Sequence, residues 1–312
     1  MNACHEDLTL WLDEDSDELI ILDQTKLPGK EETVSISTAR ALYDAIRTLQ
    51  VRGAPAIGVA AALGLYACAV RFEDETPEGF LYSLRKTKAF IASARPTAQN
   101  LFWALERIEK AADGGTIQEM LTHMRTEASA IFEEDIAICR AIGEHGLSLL
   151  KDGDTLLTHC NAGRLAAVKY GTALAPVYAG MERGMHFQVY ADETRPLLQG
   201  ARLTCYELHR AGADVTLLCD GMAARLMQEG KIDAVIVGCD RVARNYDFAN
   251  KTGTLSLAVN AKFFGVPFYV AAPSPTFDAG CATGEDIVIE QRPGEEITEA
   301  FFSARTAPEG IG

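Results

Sequence analysis

The 312-residue sequence lacks the features that mark several common classes of protein. No two of its eight cysteines form a C-x-x-C pair, which excludes a zinc ribbon and a thioredoxin motif. It has neither a G-x-G-x-x-G nor a G-x-x-x-x-G-K-[ST] segment, so no motif supports a dinucleotide site or a P-loop. No basic stretch precedes an apolar one at the acidic amino terminus, so we predict no secretory signal.

Basic residues are also scarce relative to acidic ones. The 29 Lys and Arg residues against 44 Asp and Glu residues give a formal net charge of −15, so we expect no nucleic-acid partner. An anionic substrate would need a local cluster of arginine and lysine. The longest apolar stretch, residues 54–70, contains a proline and two glycines and is shorter than the ~20 residues that cross a membrane. We therefore expect a buried helix there and no membrane association.

The first half of the chain is predicted to be mainly helical. Residues 7–22 have the pattern of short strands separated by an acidic turn, and Ser37 is a candidate N-cap for the first helix. The sequence R-G-A-P at residues 52–55 ends that helix and begins the apolar one. Pro96 suits the first turn of a later helix. The further helices are predicted at residues 78–94, 98–112 and 116–149.

The pattern changes near residues 151–154, after which apolar runs of strand length alternate with helical segments. Such alternation is typical of βαβ units and a parallel sheet, and therefore of an α/β fold. The predicted strands are residues 155–159, 187–191, 215–219, 234–238 and 268–272. The predicted helices between them are residues 166–182, 196–211, 222–229 and 253–264.

Polar clusters follow four of the predicted strands. They are H-C-N-A-G at residues 159–163, D-E-T-R-P at 192–196, D-G-M at 220–222 and D-R at 240–241. In an open parallel sheet, ligands bind just outside the carboxyl ends of the strands. We therefore expect the four loops to gather at one edge of the sheet and to form an active site.

Cys160 and Asp240 are the candidate catalytic residues. A free cysteine has a pKa of ~8.5, so only about 3% is thiolate at pH 7, and a helix beginning after Cys160 would raise that fraction. Partial burial would raise the pKa of Asp240 above ~3.9 and allow it to donate a proton. The alternatives are a buried structural cysteine, as one of eight in the chain, and a helix cap or salt bridge for Asp240.

Anion binding requires donors, and the sequence offers a candidate set. Arg52 with the backbone amides of Gly53 and Ala54 stands at the start of the apolar helix, where exposed N–H groups favour a phosphate. Taken singly, each further basic residue is more readily explained as a solvated surface charge than as part of a site. The residues that would add to the site are Arg95, Gln199, Asn250 and Lys251.

Six segments in order resemble the methylthioribose-1-phosphate isomerases, which are related to the alpha, beta and delta subunits of translation initiation factor 2B. The resemblance extends from about residue 22 to about residue 289. The segments are R-G-A-P-A-I-G at residues 52–58, T-H-C-N-A-G at 158–163, A-D-E-T-R-P at 191–196, Q-G-A-R-L-T at 199–204, V-G-C-D-R at 237–241 and A-N-K-T-G-T at 249–254.

The resemblance implies a mainly helical domain with short strands at residues 1–150 and a Rossmann-like catalytic domain at 151–312, in a cytoplasmic homodimer. It implies conversion of 5-methylthioribose 1-phosphate to 5-methylthioribulose 1-phosphate in methionine salvage, without metal or other cofactor. Cys160 and Asp240 match the catalytic pair of that family. The residues that match its sugar-phosphate site are Arg52, Gly53, Ala54, Arg95, Gln199, Asn250 and Lys251.

In this interpretation Asp240 assists opening of the furanose ring and Cys160 acts as acid or base at C1 and C2. Arg164, Cys239 and residues 245–248 depart from the family pattern, and we expect Arg164 to affect specificity near the 5-position of the substrate. Three alternatives stay open: a 5-deoxyribose 1-phosphate substrate, a ribose-1,5-bisphosphate isomerase with Arg164 holding the second phosphate, and a non-catalytic regulatory subunit.

Overall fold

The computed structural model describes residues 7–301 of the chain. The first elements form a three-stranded antiparallel sheet of β1 (Leu10–Asp13), β2 (Glu18–Leu22) and β3 (Thr33–Ile36), which confirms the short strands around an acidic turn. Five helices follow, as the sequence predicted: α1 (Ala39–Arg47), α2 (Ala54–Ala69), α3 (Pro77–Ala92), α4 (Gln99–Ala111) and α5 (Ile117–Leu147).

Two helix starts differ from the sequence prediction. The N-cap of α1 is Thr38 and not Ser37, because the Thr38 hydroxyl accepts the backbone N–H of Ala41. Pro96 is not in the first turn of α4, which begins at Gln99. Both errors are small, since neighbouring residues of similar type compete for a cap and helix ends are the least predictable part of a helix.

The apolar helix α2 lies in the middle of the amino-terminal half. Every residue from 55 to 69 is buried, as expected for a helix that is apolar on all sides. Its small residues allow close packing: a Cβ at Gly64 would lie 2.6 Å from the Leu42 side chain, and one at Gly58 would lie 3.1 Å from the Asn100 carbonyl oxygen. Within residues 7–301, none of the helices is long and apolar enough to span a membrane.

The second half contains a five-stranded parallel sheet, which confirms the predicted α/β fold. All five predicted strands are present and pair in parallel, with the first of them, residues 155–158, in the middle of the sheet. The strands are β4 (Thr155–Thr158), β5 (Gln188–Asp192), β6 (Asp214–Leu218), β7 (Ala234–Val237) and β10 (Phe268–Val270). The division into domains at residue 150 stays a prediction.

Two helices of this half are clearly shorter than predicted, those expected at residues 166–182 and 196–211. Of the helix predicted at residues 166–182, only α6 (Ala175–Met181) is α-helical. The preceding chain is irregular, because Tyr170 and Gly171 have φ of 67° and 77° and Gly171 packs directly on Gly163. The other elements are α7 (Cys205–Arg210) after a π-helical turn at Gly200–Thr204, α8 (Ala223–Gln228), the hairpin β8 (Arg241–Val242) and β9 (Phe248–Ala249), α9 (Thr254–Phe264) and α10 (Glu295–Thr298).

The strand order has a switch point between β4 and β7. From β4 the chain proceeds to β5 and β6 on one side, and then crosses to β7 and β10 on the other. At such a point the connections on the two sides diverge and leave a crevice outside the carboxyl ends of the strands. β4 leads to Cys160 and β7 leads to Asp240, so the two candidate catalytic residues lie on either side of this crevice.

Candidate active site

A cavity of about 260 Å³ opens at the switch point between β4 and β7. Its walls come from the start of α2, the loops after β4 and β7, the segment before α9 and a carboxyl-terminal segment. Every site residue that the sequence indicated lines this one cavity: Arg52, Gly53, Ala54, Arg95, Cys160, Gln199, Asp240, Asn250 and Lys251. The structure therefore brings the whole predicted set together.

The start of α2 forms the wall that suits an anion. Gly53 has a φ of 92°, and a Cβ there would lie 2.5 Å from the carbonyl oxygen of Ala166, so only glycine fits. Gly53 and Ala54 line the cavity at the point where the first backbone N–H groups of a helix have no partner inside the helix. These donors and the positive end of the helix dipole favour a phosphate group.

Arg52 adds a cation whose orientation is fixed by the loop after β4. The side chain is 9% exposed, and its guanidinium donates to the Asn161 side-chain oxygen and, over 2.7 Å, to the Asn161 backbone carbonyl. Two hydrogen bonds from one planar guanidinium to one residue leave it little rotational freedom. Arg52 is thus held ready for an anion and is not a mobile surface charge.

Behind Asn161 lies Glu207, a buried carboxylate on α7 that the sequence analysis missed. Its oxygens accept hydrogen bonds from the Asn161 amide, from the backbone N–H of Arg164 over 2.7 Å and from the Tyr178 hydroxyl over 2.6 Å. Burial raises the pKa of Glu207, although these hydrogen bonds favour the ionised form. A Cβ at Gly163 would lie 2.2 Å from this carboxylate. Glu207 therefore supports Arg52 through Asn161.

Cys160 is half-buried at the end of β4 and faces the cavity. Burial raises the pKa of its thiol, Arg52 and Lys251 oppose that rise, and the balance remains above the ordinary value. The expectation of a thiolate favoured by a helix start is wrong, because the next α-helix begins only at Ala175. Cys160 is a thiol at neutral pH.

The backbone of Cys160 is held in an uncommon conformation. Its φ is 66°, in the left-handed region that non-glycine residues rarely adopt. The Cys160 N–H donates to the Thr194 hydroxyl over 2.8 Å, and its carbonyl accepts from the Thr204 hydroxyl over 2.7 Å. Such conformations persist where the surroundings fix them, and they occur often at active sites. The two threonines fix the direction of the thiol.

Asp240 follows β7 and is exposed to the interior of the cavity rather than packed in the core. The cavity walls crowd it, and this burial raises its pKa, while Arg95, Arg52 and Lys251 lower it by less. The cap and the salt bridge considered from sequence do not occur within residues 7–301, because no residue there donates a hydrogen bond to the carboxylate or pairs with it. The carboxyl group is therefore available to a ligand.

Gln199 and the residues before α9 complete the polar lining. Gln199 is 7% exposed, and its side-chain oxygen has no hydrogen-bond partner among residues 7–301. A buried polar atom of this kind is usually satisfied by a ligand or water. The Asn250 amide donates to the Thr254 hydroxyl over 3.1 Å, which fixes the segment that carries Lys251 into the cavity.

A carboxyl-terminal segment, residues 287–292, lies along the cavity and was not expected from the sequence. Its Glu290 accepts a hydrogen bond from the Arg95 guanidinium over 2.8 Å and pairs with Arg292 over 2.9 Å. Glu290 and Arg95 are 195 positions apart in the chain, so no local pattern connects them. Arg95 thus reaches the cavity already paired with a carboxylate.

The three departures from the family pattern lie in different places. Arg164 is not part of the cavity lining within residues 7–301, since its guanidinium pairs with Asp7 over 2.9 Å and lies 4.8 Å from the Tyr178 ring centre. The expectation that Arg164 affects the 5-position of the substrate stays a prediction, which this position outside the cavity lining does not favour. The Cys239 thiol bonds to the Arg241 carbonyl oxygen over 3.2 Å, and burial raises its pKa to about 12. Residues 245–247 lie in the turn of the β8–β9 hairpin, and Phe248 begins β9.

The polar clusters after β5 and β6, residues 192–196 and 220–222, lie behind the cavity rather than in its lining. His159, Asp192 and Asp220 have the ligand types of a metal site, with one atom of each within 4.8 Å of the others. Most of their polar atoms already have internal partners, however: Asp220 accepts the backbone N–H groups of Thr194 and Arg195 over 2.7 and 2.8 Å, and of the three side chains only Asp192 has an atom, Oδ1, without a hydrogen-bond partner within residues 7–301. We assign these residues to support of the loops and not to metal binding. Of the four predicted loops, two therefore face the cavity and two support it.

Comparison with known proteins places the chain among sugar-phosphate isomerases and their structural relatives. Residues 50–309 match the model of the initiation factor 2 subunit family. A methylthioribose-1-phosphate isomerase of Symbiobacterium thermophilum is 55% identical over 96% of this chain and 84% of its own length. A 5-deoxyribose 1-phosphate isomerase of Clostridium botulinum is 52% identical over 97% of this chain and 88% of its own.

Of the solved structures that are similar to this chain, one is described as an isomerase and another as a translation-factor subunit. The 5-methylthioribose 1-phosphate isomerase of Pyrococcus horikoshii OT3 superposes with a TM-score of 0.89 at 39% identity, over 97% of this chain and 85% of its own. A structure described as translation initiation factor eIF-2B subunit delta from A. fulgidus superposes with a TM-score of 0.86 at 44% identity, over 98% of this chain and 89% of its own.

Proposed function

This chain belongs to the initiation factor 2 subunit family, in the group that contains the methylthioribose-1-phosphate isomerases, and on that premise we propose that it is an aldose–ketose isomerase. The proposed reaction converts 5-methylthioribose 1-phosphate to 5-methylthioribulose 1-phosphate in methionine salvage. 5-Deoxyribose 1-phosphate is the second candidate substrate, because a relative at 52% identity is named a 5-deoxyribose 1-phosphate isomerase.

One observation carries the proposal: a thiol and a carboxyl group, both able to transfer a proton, face the same cavity as a set of phosphate-binding donors. Asp240 and Cys160 both have raised pKa values and stand on the two sides of the sheet's switch point. Arg52 and the start of α2 offer a seat for the phosphate within that cavity. A sugar phosphate bound by its phosphate presents its ring to the two acidic groups.

The chemistry follows from the bonds that must change. The C1 phosphate blocks spontaneous opening of the furanose ring, so the C1–O4 bond breaks as an acid protonates O4, and Asp240 in its neutral form is that acid. The hydrogen on C2 then moves to C1, and the 2-hydroxyl proton leaves as the C2 carbonyl forms. One proton enters at O4 and one leaves from O2, so the reaction is balanced without an external oxidant or reductant. Cys160 is the acid or base next to C1 and C2.

Two routes can move the C2 hydrogen, and labelled substrate distinguishes them. In the enediolate route Cys160 removes it as a proton, which can exchange with water before it returns to C1. In the hydride route it passes directly, and the burial that raises the pKa values of Cys160 and Asp240 favours this route because it limits proton exchange with water. We expect deuterium at C2 to be retained at C1 in ordinary water. Extensive loss of the deuterium would establish the enediolate route.

The direct test of the proposed function is a comparison of three substrates by phosphorus and proton NMR. We expect the purified chain to convert 5-methylthioribose 1-phosphate and 5-deoxyribose 1-phosphate, and to leave ribose 1,5-bisphosphate unchanged. The last expectation rests on Arg164, which would have held a 5-phosphate but pairs with Asp7 away from the cavity. Turnover of none of the three would reject the isomerase and favour a regulatory, non-catalytic subunit.

We also propose that the enzyme is a cytoplasmic homodimer that acts without a nucleic-acid partner or a resident cofactor. The observation that supports the dimer is an apolar stripe on α9, where Leu255, Val259 and Phe263 recur every four residues and are 79%, 60% and 81% exposed. Exposed apolar surface on a regular helix commonly marks an interface. Light scattering should give a dimer mass for the wild type and a monomer for Phe263→Glu. Tyr82→Glu, at a position 70% exposed on α3, should remain dimeric.

A further inference from the structure

His159 is enclosed next to Cys160 and is 2% exposed. Its Nδ1 lies 2.8 Å from a carboxylate oxygen of Asp192, and its Nε2 lies 2.8 Å from the backbone carbonyl oxygen of Thr252. A carbonyl oxygen can only accept a hydrogen bond, so Nε2 must carry a proton. An ionised Asp192 likewise only accepts, so Nδ1 must carry one too. The geometry therefore points to a buried imidazolium.

The charges around His159 favour that state. Burial alone would lower its pKa, but the hydrogen bonds to Asp192 and Thr252 and the negative charges of Asp192 and Asp220 raise it above the ordinary value. Burial also raises the pKa of Asp192, and Glu193 and Asp220 add to that rise, while His159 opposes it. The pair therefore keeps its shared proton to higher pH than either residue would alone.

The two partners of His159 belong to different parts of the chain around the site. Asp192 ends β5, whereas Thr252 directly follows Lys251 in the segment before α9. Gly253 has a φ of 103°, and a Cβ there would lie 2.7 Å from Cε1 and Nε2 of His159, so the segment lies directly against the imidazole ring. His159 connects the strand end that carries Cys160 to the segment that carries Lys251.

We propose that His159 is a positioning residue, which as a doubly protonated imidazolium holds the segment of Asn250 and Lys251 at a fixed distance from Cys160. It acts through Lys251 and is neither the acid nor the base of the reaction. Asp192 keeps the imidazole protonated and correctly turned, in the way that a carboxylate orients a histidine from behind in many active sites. This role goes beyond the isomerase activity proposed above and rests on it only for its kinetic consequence.

The first test is independent of turnover. In protein labelled with ¹⁵N-histidine, we expect both ring nitrogens of one histidine to stay protonated through the range in which exposed histidines lose their proton, about pH 6 to about pH 8. This signal should be absent in His159→Gln. It should remain in His186→Gln, the control, because the His186 side chain is 90% exposed and does not contact the site. A neutral ring in the wild type over that pH range, with one nitrogen unprotonated, would overturn the imidazolium assignment.

The second test measures the effect on Lys251. We expect His159→Gln to raise KM at least about 10-fold with a smaller change in kcat, because uniform binding of the phosphate is weakened and the reacting groups remain. Calorimetric titration with inorganic phosphate should show a matching loss of affinity, and it works even if the wild type turns over no substrate. His186→Gln should leave both KM and phosphate affinity unchanged.

If His159→Gln fails to fold, Asp192→Asn takes its place, with the same expected effect on KM. Unchanged KM and phosphate affinity in the folded variant would reject the proposal.

Discussion

Two carboxyl groups on opposite sides of the loop after β4 have contrasting surroundings. Glu207 lies behind the loop, 2% exposed, and accepts hydrogen bonds from Asn161, Tyr178 and the backbone of Arg164. Asp240 lies in front of the loop and faces the cavity, where no residue within 7–301 donates a hydrogen bond to it. Burial raises the pKa of both carboxyl groups. They differ in whether the protein or a ligand completes their hydrogen bonds.

This difference separates a supporting carboxylate from a reacting one. A buried polar group that is fully hydrogen-bonded stabilises the structure around it, and its removal leaves donors without partners. A carboxyl group with a raised pKa and an open face has the properties of a general acid. We therefore expect loss of Asp240 to affect the reaction alone, and loss of Glu207 to affect both stability and the placement of Arg52.

The largest expected effect is that of Asp240→Asn on the rate. An amide cannot supply the proton that opens the ring, so kcat should fall by about 10²–10⁴-fold, the usual contribution of a general acid. The free energy of unfolding in urea should be nearly unchanged, because Asp240 is open to the cavity. Near-normal kcat in the folded variant would reject the assigned role. Near-normal kcat with a large loss of stability would make Asp240 a supporting residue like Glu207.

Cys160→Ser should have the next largest effect, a loss of about 10²-fold or more in kcat measured by the NMR assay. The serine hydroxyl fills the position of the thiol but has a much higher pKa, so proton transfer at C1 and C2 is impaired. Cys219→Ser is a matched control, since Cys219 is also a free cysteine and is exposed. Equal activity of the two variants would place Cys160 among the structural cysteines.

The pH dependence of kcat should report the same two groups. Asp240 acts in its protonated form, so activity is expected to be fully present below its raised pKa and to decline as the pH rises through it. The pKa of Cys160 is raised as well, so a second alkaline limb should be lost or shifted in Cys160→Ser. Activity that increases steadily through the alkaline range would contradict a protonated Asp240.

Glu207→Gln tests the other side of the comparison. The amide would direct N–H groups at the donors of Asn161, Arg164 or Tyr178, and a mismatch in a buried network typically costs about 2–4 kcal/mol of unfolding free energy. We also expect kcat/KM to fall by about 10-fold, because Asn161 would no longer hold Arg52 in place. Denaturant unfolding and steady-state kinetics measure the two effects. Glu229→Gln on the surface is the matched control and should change neither.

The elements that the sequence predicted well are those with strong local patterns. The parallel strands and the fully apolar α2 follow from apolar runs. The nine cavity residues follow from motifs at strand ends, from the start of α2 and from the family resemblance. Glu207, Glu290 and the role of His159 were not predicted, since each depends on a partner far away in the chain. The Arg95–Glu290 pair joins residues 195 positions apart, and no periodicity contains that information. The irregular chain before α6 depends on close contact between Gly163 and Gly171.

Asp135 on α5 is a third carboxyl group whose pKa is raised by burial, and its expected effect on the free energy of unfolding is smaller. It is 8% exposed and accepts the backbone N–H of Val168 over 2.8 Å, and burial raises its pKa to about 7. The folded protein then binds more protons than the unfolded chain between about pH 4 and about pH 7, so the free energy of unfolding falls as the pH rises through that window. Asp135→Asn should remove this slope, on the order of 1–3 kcal/mol. An unchanged slope in pH-dependent urea unfolding would contradict the assignment.

The central claim is that Asp240 reacts with the substrate and that Glu207 supports the loop after β4. A ¹³C NMR time course with 5-methylthioribose 1-phosphate labelled at C1 tests it most directly. We predict that the wild type converts the anomeric carbon signal into that of a phosphorylated CH₂ group, that Glu207→Gln does so more slowly, and that Asp240→Asn does not do so on the same timescale. A wild type that leaves the anomeric signal unchanged, or an Asp240→Asn variant that converts it as fast as the wild type, would contradict the account.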